Sequence, residues 1–194
     1  HLVCLDLEGV LIPEIWIAFS KATGIPELMR TTREESDYDK LMAYRLDILN
    51  RENLKLVDIQ KVIAKMDVLE GARECVDRLK EKTQLIILSD TFLQFAQPLM
   101  KKLGYPTLFC NSLIVDGQGH ITGWKLRQSD GKRHAVQAFK SINMKVFAAG
   151  DSYNDLSMIQ NAHAGALFRA PESIVQAFPD LPALSSYNEL LGQI

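Results

Sequence analysis

The stretch CLDLEGVLIPEIW, residues 4–16, decides how this chain is read. An apolar run passes straight into two acids, Asp6 and Glu8, with only Leu7 between them. Residues 2–6, LVCLD, have the composition of a buried parallel strand. In a strand, residues i and i+2 share a face, so both carboxylates point the same way from its end. The question is what holds two like charges there.

The same junction recurs twice. QLIILSD (84–90) and KVFAAGD (145–151) are apolar strands that end in Ser89-Asp90-Thr91 and in Gly150-Asp151-Ser152-Tyr153-Asn154-Asp155. Between and after them the periodicity alternates. Glu70-Gly71 opens an amphipathic helix, TFLQFAQPLMKKLG is a helix with Lys in its last turn, and TLFC (107–110) is a strand. LIVDGQGHITGWKL reads as a β-hairpin, residues 132–141 as a helix, and NDLSMIQNAH as another. AGALF then reads as a strand, and SIVQAF and YNELLGQI as closing helices. Strands alternating with helices predict an α/β fold with a mostly parallel sheet covered on both faces.

Residues 13–66 break this pattern. Apolar residues recur at helical spacing, as at Ile59, Val62, Ile63 and Met66, charges are dense, and no strand is evident. The expected organisation is a catalytic core of residues 1–12 and 67–194, with 13–66 as a small helical cap inserted after the first strand. In open α/β sheets, sites form at the carboxyl ends of strands, so the insert is placed to act as a lid.

Composition narrows the function classes. The 194 residues carry a formal net charge of −2, which offers no basic field for nucleic acid and no polybasic membrane patch. No apolar run reaches the ~18 residues of a membrane span. The first residues read as a core strand and not as a secretory signal, and His1 in place of Met as a processed or engineered start. Cys4, Cys75 and Cys110 are scattered in apolar contexts, as buried free thiols of a cytoplasmic protein would be, and no C-x-x-C marks a zinc site.

If the three strands are parallel, Asp6, Glu8, Ser89, Asp90, Asp151, Asn154 and Asp155 converge at one sheet edge. Carboxylates so crowded repel one another and lose solvation, so they call for a cation. Hard oxygen ligands without a His or Cys cluster favour Mg²⁺. A Mg²⁺ beside a strand–helix junction that can hold an anion suits phosphoryl transfer. Lys132 would add a fixed positive charge, and an Asp nucleophile forming an aspartyl-phosphate is chemically adequate.

Asp6-Leu7-Glu8-Gly9-Val10, Ser89-Asp90-Thr91, Lys132 and Gly150-Asp151-Ser152-Tyr153-Asn154-Asp155, in that order, resemble the four motifs of the haloacid dehalogenase superfamily, whose core is Rossmann-like. Within it the chain is similar to the phosphoserine phosphatase group, and most of all to its bifunctional members, which also transfer the phosphoryl group from phosphoserine to homoserine. The resemblance covers essentially the whole chain. It implies Asp6 as nucleophile and Glu8 as general acid and base. It implies Asp6, the Glu8 carbonyl and Asp151 as ligands of Mg²⁺, with Asp155 behind them. Ser89 and Lys132 would hold the phosphoryl oxygens, and Asn154 would contact the substrate. Glu14 and Arg45 would take the ammonium and carboxylate of phosphoserine. Either water or homoserine would accept the phosphoryl group, which ties the enzyme to serine or to threonine biosynthesis. A homodimer is expected by resemblance only.

Two departures bear on this reading. Glu8 stands where the family usually has Asp, as it does in the bifunctional members. Asp90 and Thr91 replace a Gly-Gly pair, which adds an acid beside the phosphoryl site and leaves only backbone contacts to expect of Asp90. Taken alone, GKRH around Lys132 reads as a solvated helix start, and Glu14 or Arg45 as surface charges. His120 and His163 read as structural. Two other functions compete. One is a phosphatase of the same superfamily for another small phosphomonoester. The other is a receiver-like signalling domain with a phosphorylated Asp.

Overall fold

The computed structural model describes residues 1–194 apart from Arg33 and Ser36, both within the expected cap. The first strand, β1 (Leu2–Leu5), is buried along its length. Its side chains alternate between two cores: Val3 and Leu5 join one cluster, Leu2 and Cys4 the other. A strand buried on both faces explains why its sequence is continuously apolar.

Three helices follow: α1 (Ile15–Thr23), α2 (Tyr38–Arg51) and α3 (Leu56–Lys65), with a 3-10 turn at Pro26–Met29. Among the described residues this insert contributes no strand to the sheet, as its periodicity predicts. The chain leaves and re-enters the core at one place, where the Leu69 N–H donates to the Leu11 carbonyl at 2.9 Å.

The core continues with α4 (Ala72–Lys82), β2 (Gln84–Phe92), α5 (Leu93–Lys102), β3 (Thr107–Val115) and β4 (Ile121–Lys125). Then come α6 (Gly131–Ser141), β5 (Val146–Gly150), a 3-10 turn at Tyr153–Asp155 and α7 (Leu156–Asn161). β6 (Ala164–Phe168), α8 (Glu172–Ala177), β7 (Ala183–Leu184) and α9 (Tyr187–Gly192) complete it. The sheet has seven strands in the order β4-β3-β2-β1-β5-β6-β7. All neighbours are parallel except β3 and β4, which form a hairpin.

Three details depart from the sequence reading. TLFC and the first arm of the hairpin are one continuous strand, β3, carried through the polar Cys110-Asn111-Ser112 by pairing on both sides. Thr91 and Phe92 extend β2 and do not start α5. The two-residue β7 has no sequence signal of its own and is held at the edge by β6.

The topology fixes where a site can form. β1 lies between β2 and β5, and the chain passes to one side for β2 and returns to the other for β5. Leu5 is in register with Ile87 on one side and Ala149 on the other. The carboxyl ends of β1, β2 and β5 are therefore neighbours, at the switch point where ligands bind in such sheets. Among the described residues, no helix is long and apolar enough to cross a membrane. The cysteines are free, as expected.

Candidate active site

The site is built from the three strand ends. Asp6 follows β1, and its N–H donates to the Ala149 carbonyl of β5 at 3.0 Å. Asp151 follows β5. The loop after β1 turns back at Gly9, with φ +78°, and a Cβ there would collide with the Asp151 carboxylate. Only glycine permits both the turn and the approach.

Asp155 is fully buried beneath the site. Its Oδ2 accepts from the N–H groups of Asp151 at 3.0 Å and Ser152 at 3.1 Å, so it folds the turn after β5 back on itself. Its Oδ1 accepts from Lys132 Nζ at 2.6 Å. Lys132 is buried in the first turn of α6 and also reaches Asp6 Oδ1 at 2.9 Å and Asp90 Oδ2 at 3.8 Å. It is no solvated helix start. Burial alone would lower its pKa, but Asp155, Asp6 and Asp90 outweigh that and hold it well above its ordinary value.

One ligand atom from each of Asp6, Asp151 and Asp155 lies within 4.8 Å of the others. Burial, then the charge of Asp155, pushes the Asp6 carboxyl well up, with Lys132 offsetting part of it. Burial, then Asp155 and Glu14, pushes Asp151 up to about 7. This is the electrostatic state of a site short of positive charge, and it fits a hard cation. Protein donors reach both oxygens of Asp155 and one oxygen of Asp6.

β1 ends at Leu5, so Asp6 and Glu8 lie beyond it, and strand alternation does not set their directions as the sequence reading expected. The Glu8 Oε2 accepts from the Ile15 N–H, at the start of α1, at 2.8 Å. Burial, then Glu14, pushes the Glu8 carboxyl up to about 7, against the Ile15 N–H, Thr91 and Arg45.

Arg45 of α2 is buried, not a surface charge. Its Nη2 donates to the Arg30 carbonyl at 2.8 Å and its guanidinium lies 4.5 Å from the centre of the Trp16 ring. Its Nε is buried and has no hydrogen-bond partner among the described residues. Burial pulls Arg45 down to about 10, with Glu8, Tyr38 and Glu14 opposing, so it stays charged at neutral pH.

In β2, the pairing with β3 shifts register between Leu88 and Phe92. The shift releases Ser89, Asp90 and Thr91 from the ladder and lets them face the site. Ser89 is buried, and its Oγ accepts from the Thr91 N–H at 3.2 Å. Asp90 presents its side chain as well as its backbone, since its Oδ2 accepts from Asn154 Nδ2 at 2.8 Å.

Asp6, Glu8, Glu14, Arg45, Ser89, Asp90, Lys132, Asp151 and Asn154 all line one cavity of about 110 Å³ between the strand ends and the helical insert. Asp155 alone of the expected residues lies beneath it. The sequence reading missed two groups. The Tyr38 hydroxyl donates to the Asp90 carbonyl at 3.1 Å, and Asn111 Nδ2 donates to the same oxygen at 3.1 Å. Neither had a signal of its own in the sequence, since Asn111 lies just past the strand read from TLFC and its burial comes from the continuous β3. His163 Nδ1 accepts from the Val146 N–H at 3.1 Å, a structural role as expected.

The chain matches the family model of haloacid dehalogenase-like hydrolases over residues 1–163. It is 56% identical over 190 residues to "Phosphoserine phosphatase ThrH" of Pseudomonas aeruginosa, covering 98% of this chain and 93% of that protein. It is 54% identical over 190 residues to a phosphoserine phosphatase of Pseudomonas syringae pv. tomato, covering 98% of this chain and 80% of that one. A solved structure described as a phospho-aspartyl intermediate analogue of phosphoserine phosphatase superposes with a TM-score of 0.82 at 22% identity, over 100% of this chain and 98% of that one, and supports the fold.

Proposed function

The chain belongs to the haloacid dehalogenase-like hydrolases, and on that premise we propose that it is a Mg²⁺-dependent phosphoserine phosphatase that also passes the phosphoryl group to homoserine. The observation that carries the substrate assignment is buried Arg45, which lines the same cavity as Glu14 and Asp6 and whose Nε has no hydrogen-bond partner among the described residues. A buried guanidinium with a spare donor calls for a carboxylate. Glu14 in the same cavity supplies the counter-charge for an ammonium. A small phosphorylated amino acid satisfies both, and the name of the 56% identical relative agrees.

In the proposed reaction a carboxylate oxygen of Asp6 attacks phosphorus, and the bond from phosphorus to the serine oxygen breaks. Glu8, protonated near neutral pH because its carboxyl is pushed up to about 7, gives its proton to the departing oxygen. The Glu8 carboxylate then takes a proton from the incoming hydroxyl as its oxygen attacks the aspartyl-phosphate, which frees Asp6. Ser89 and Lys132 hold the phosphoryl oxygens throughout, Asn154 touches the substrate, and Asp155 holds Lys132. Asp6, Asp151 and the Glu8 carbonyl would hold Mg²⁺, which would supply the positive charge that keeps both carboxylates ionised beside a phosphate.

Residues 13–66 act in this reading as a cap on a core of 1–12 and 67–194. Cap closure excludes water and decides which hydroxyl arrives. Homoserine carries the same ammonium and carboxylate as serine on a chain one methylene longer, so Glu14 and Arg45 can hold either. Phosphorus NMR with phosphoserine and Mg²⁺, with and without homoserine, tests the proposal. Free phosphate in the first tube and phosphohomoserine in the second are expected. Phosphate alone in both removes the transferase part, and unchanged phosphoserine in both rejects the substrate.

A further inference from the structure

Lys132 already has two close carboxylate partners, Asp155 at 2.6 Å and Asp6 at 2.9 Å. Asp90 adds a third at 3.8 Å that the buried ammonium does not need for compensation. The same Asp90 oxygen takes the Asn154 amide at 2.8 Å. Its backbone is pinned, since the Asp90 carbonyl accepts from both Tyr38 and Asn111. A fixed main chain therefore carries a negative charge onto two groups that the functional reading assigns to the phosphorylated substrate.

That charge also has somewhere to go. The Asp90 side chain is 43% exposed and borders a second, larger cavity of about 940 Å³, which shares Tyr38, Lys132, Ser152 and Asn154 with the inner one. It can turn outward without crossing the core.

We propose that Asp90 is an internal competitor of the phosphoryl group: its carboxylate contends with phosphoryl oxygens for Lys132 and Asn154 and weakens the hold on free phosphate. The inference rests on the reading of Ser89 and Lys132 as the phosphoryl pocket. The penalty applies to any phosphoryl group in the pocket; phosphoserine offsets it through Arg45 and Glu14, whereas inorganic phosphate has only the pocket and is left the weaker ligand. Phosphate leaves readily, and the aspartyl-phosphate is not remade from it.

Asp90→Asn tests this, because the amide oxygen can still accept from Asn154 while the charge is gone. Calorimetric titration with inorganic phosphate in the presence of Mg²⁺ should show binding roughly tenfold tighter in Asp90→Asn than in wild type, the scale of one unit charge a few ångströms away in partly aqueous surroundings. Inhibition of aryl phosphate turnover by phosphate should strengthen by the same factor. Unchanged or weaker phosphate binding would mean that Asp90 merely positions Lys132 and Asn154, and would overturn the proposal. Ser89→Ala is the control. If wild-type phosphate binding ignores Ser89→Ala, the pocket itself is misassigned and both readings fall. If binding responds to Ser89→Ala but does not tighten in Asp90→Asn, only the role of Asp90 falls.

Discussion

The Ile15 N–H donates to Glu8 Oε2 at 2.8 Å, which ties the second acid of the β1 loop to the first turn of the helical insert. One oxygen of Glu8 is thereby fixed by the insert, and the carboxyl is shielded and held near the pKa a proton shuttle needs. Replacing Glu8 by Gln should cut phosphoserine turnover by roughly 10²–10⁴-fold. An aryl phosphate, whose leaving group needs no proton, should still phosphorylate Asp6 and give a burst followed by slow release. A proportionate loss of both phases would count against Glu8 as the proton donor.

The same carboxyl links stability to pH. Its folded value of about 7 lies above the ordinary 4.5, so folding favours the protonated form. That contribution is complete below pH 4.5, declines across the window up to about 7, and beyond it the ionised carboxyl costs at most about 3 kcal/mol. Metal-free Glu8→Gln should therefore gain stability over wild type as pH rises from 5 to 8. Urea unfolding at the two pH values measures it, and a gap that stays constant or shrinks would contradict the assignment.

Asp151 gives a separate pH signature. Its carboxyl is pushed up to about 7 in the protein without metal, so a cation binding below that pH must displace a proton. Calorimetric titration of Mg²⁺ in two buffers of different ionisation enthalpy should reveal proton release at pH 6 that vanishes by pH 9. Equal release at both pH values would place the ion elsewhere.

Gly9 shows how tightly the Asp151 carboxylate is packed. Gly9→Ala forces a side chain into the left-handed region and into the Asp151 carboxylate. The backbone strain alone costs roughly 1–2 kcal/mol, and the displaced Asp151 should weaken Mg²⁺ binding as well. Thermal unfolding and Mg²⁺ titration read the two effects, and normal Mg²⁺ affinity would show that Asp151 is not a ligand.

Arg45→Met should lower kcat/KM for phosphoserine by at least ~30-fold, the scale for losing a buried charged partner, while aryl phosphate turnover changes little. The fold should survive, since an apolar side chain of similar size removes a buried charge whose Nε has no partner among the described residues. Equal losses on both substrates would mean that Arg45 does not read the carboxylate.

Much of this was legible in the sequence, for identifiable reasons. The strand ends before Asp6 and Asp151 announce themselves because a strand buried on both faces is continuously apolar, so the first acid marks its exit; Ser89 instead lies inside β2. Lys132 was not legible on its own residues, since GKRH looks like any solvated helix start. Only the left-handed turn at Asp130, φ 48°, aims α6 at the sheet edge. The sequence placed an acid at Asp90 beside the phosphoryl site but not its contacts with Lys132 and Asn154, because the register shift between β2 and β3 decides which way residues 89–91 face. The Tyr38 contact depends on where the insert lands on the core, and helical periodicity does not encode that.

The central claim is that Asp6 carries the phosphoryl group taken from phosphoserine. Wild-type protein, mixed rapidly with phosphoserine and Mg²⁺, acid-quenched during turnover and digested for mass spectrometry, tests it most directly. The account predicts a single acyl phosphate on the peptide that contains Asp6, absent from Asp6→Asn. Phosphoserine turnover by wild type with the phosphoryl group found on Ser89, or continued turnover by Asp6→Asn, would contradict it.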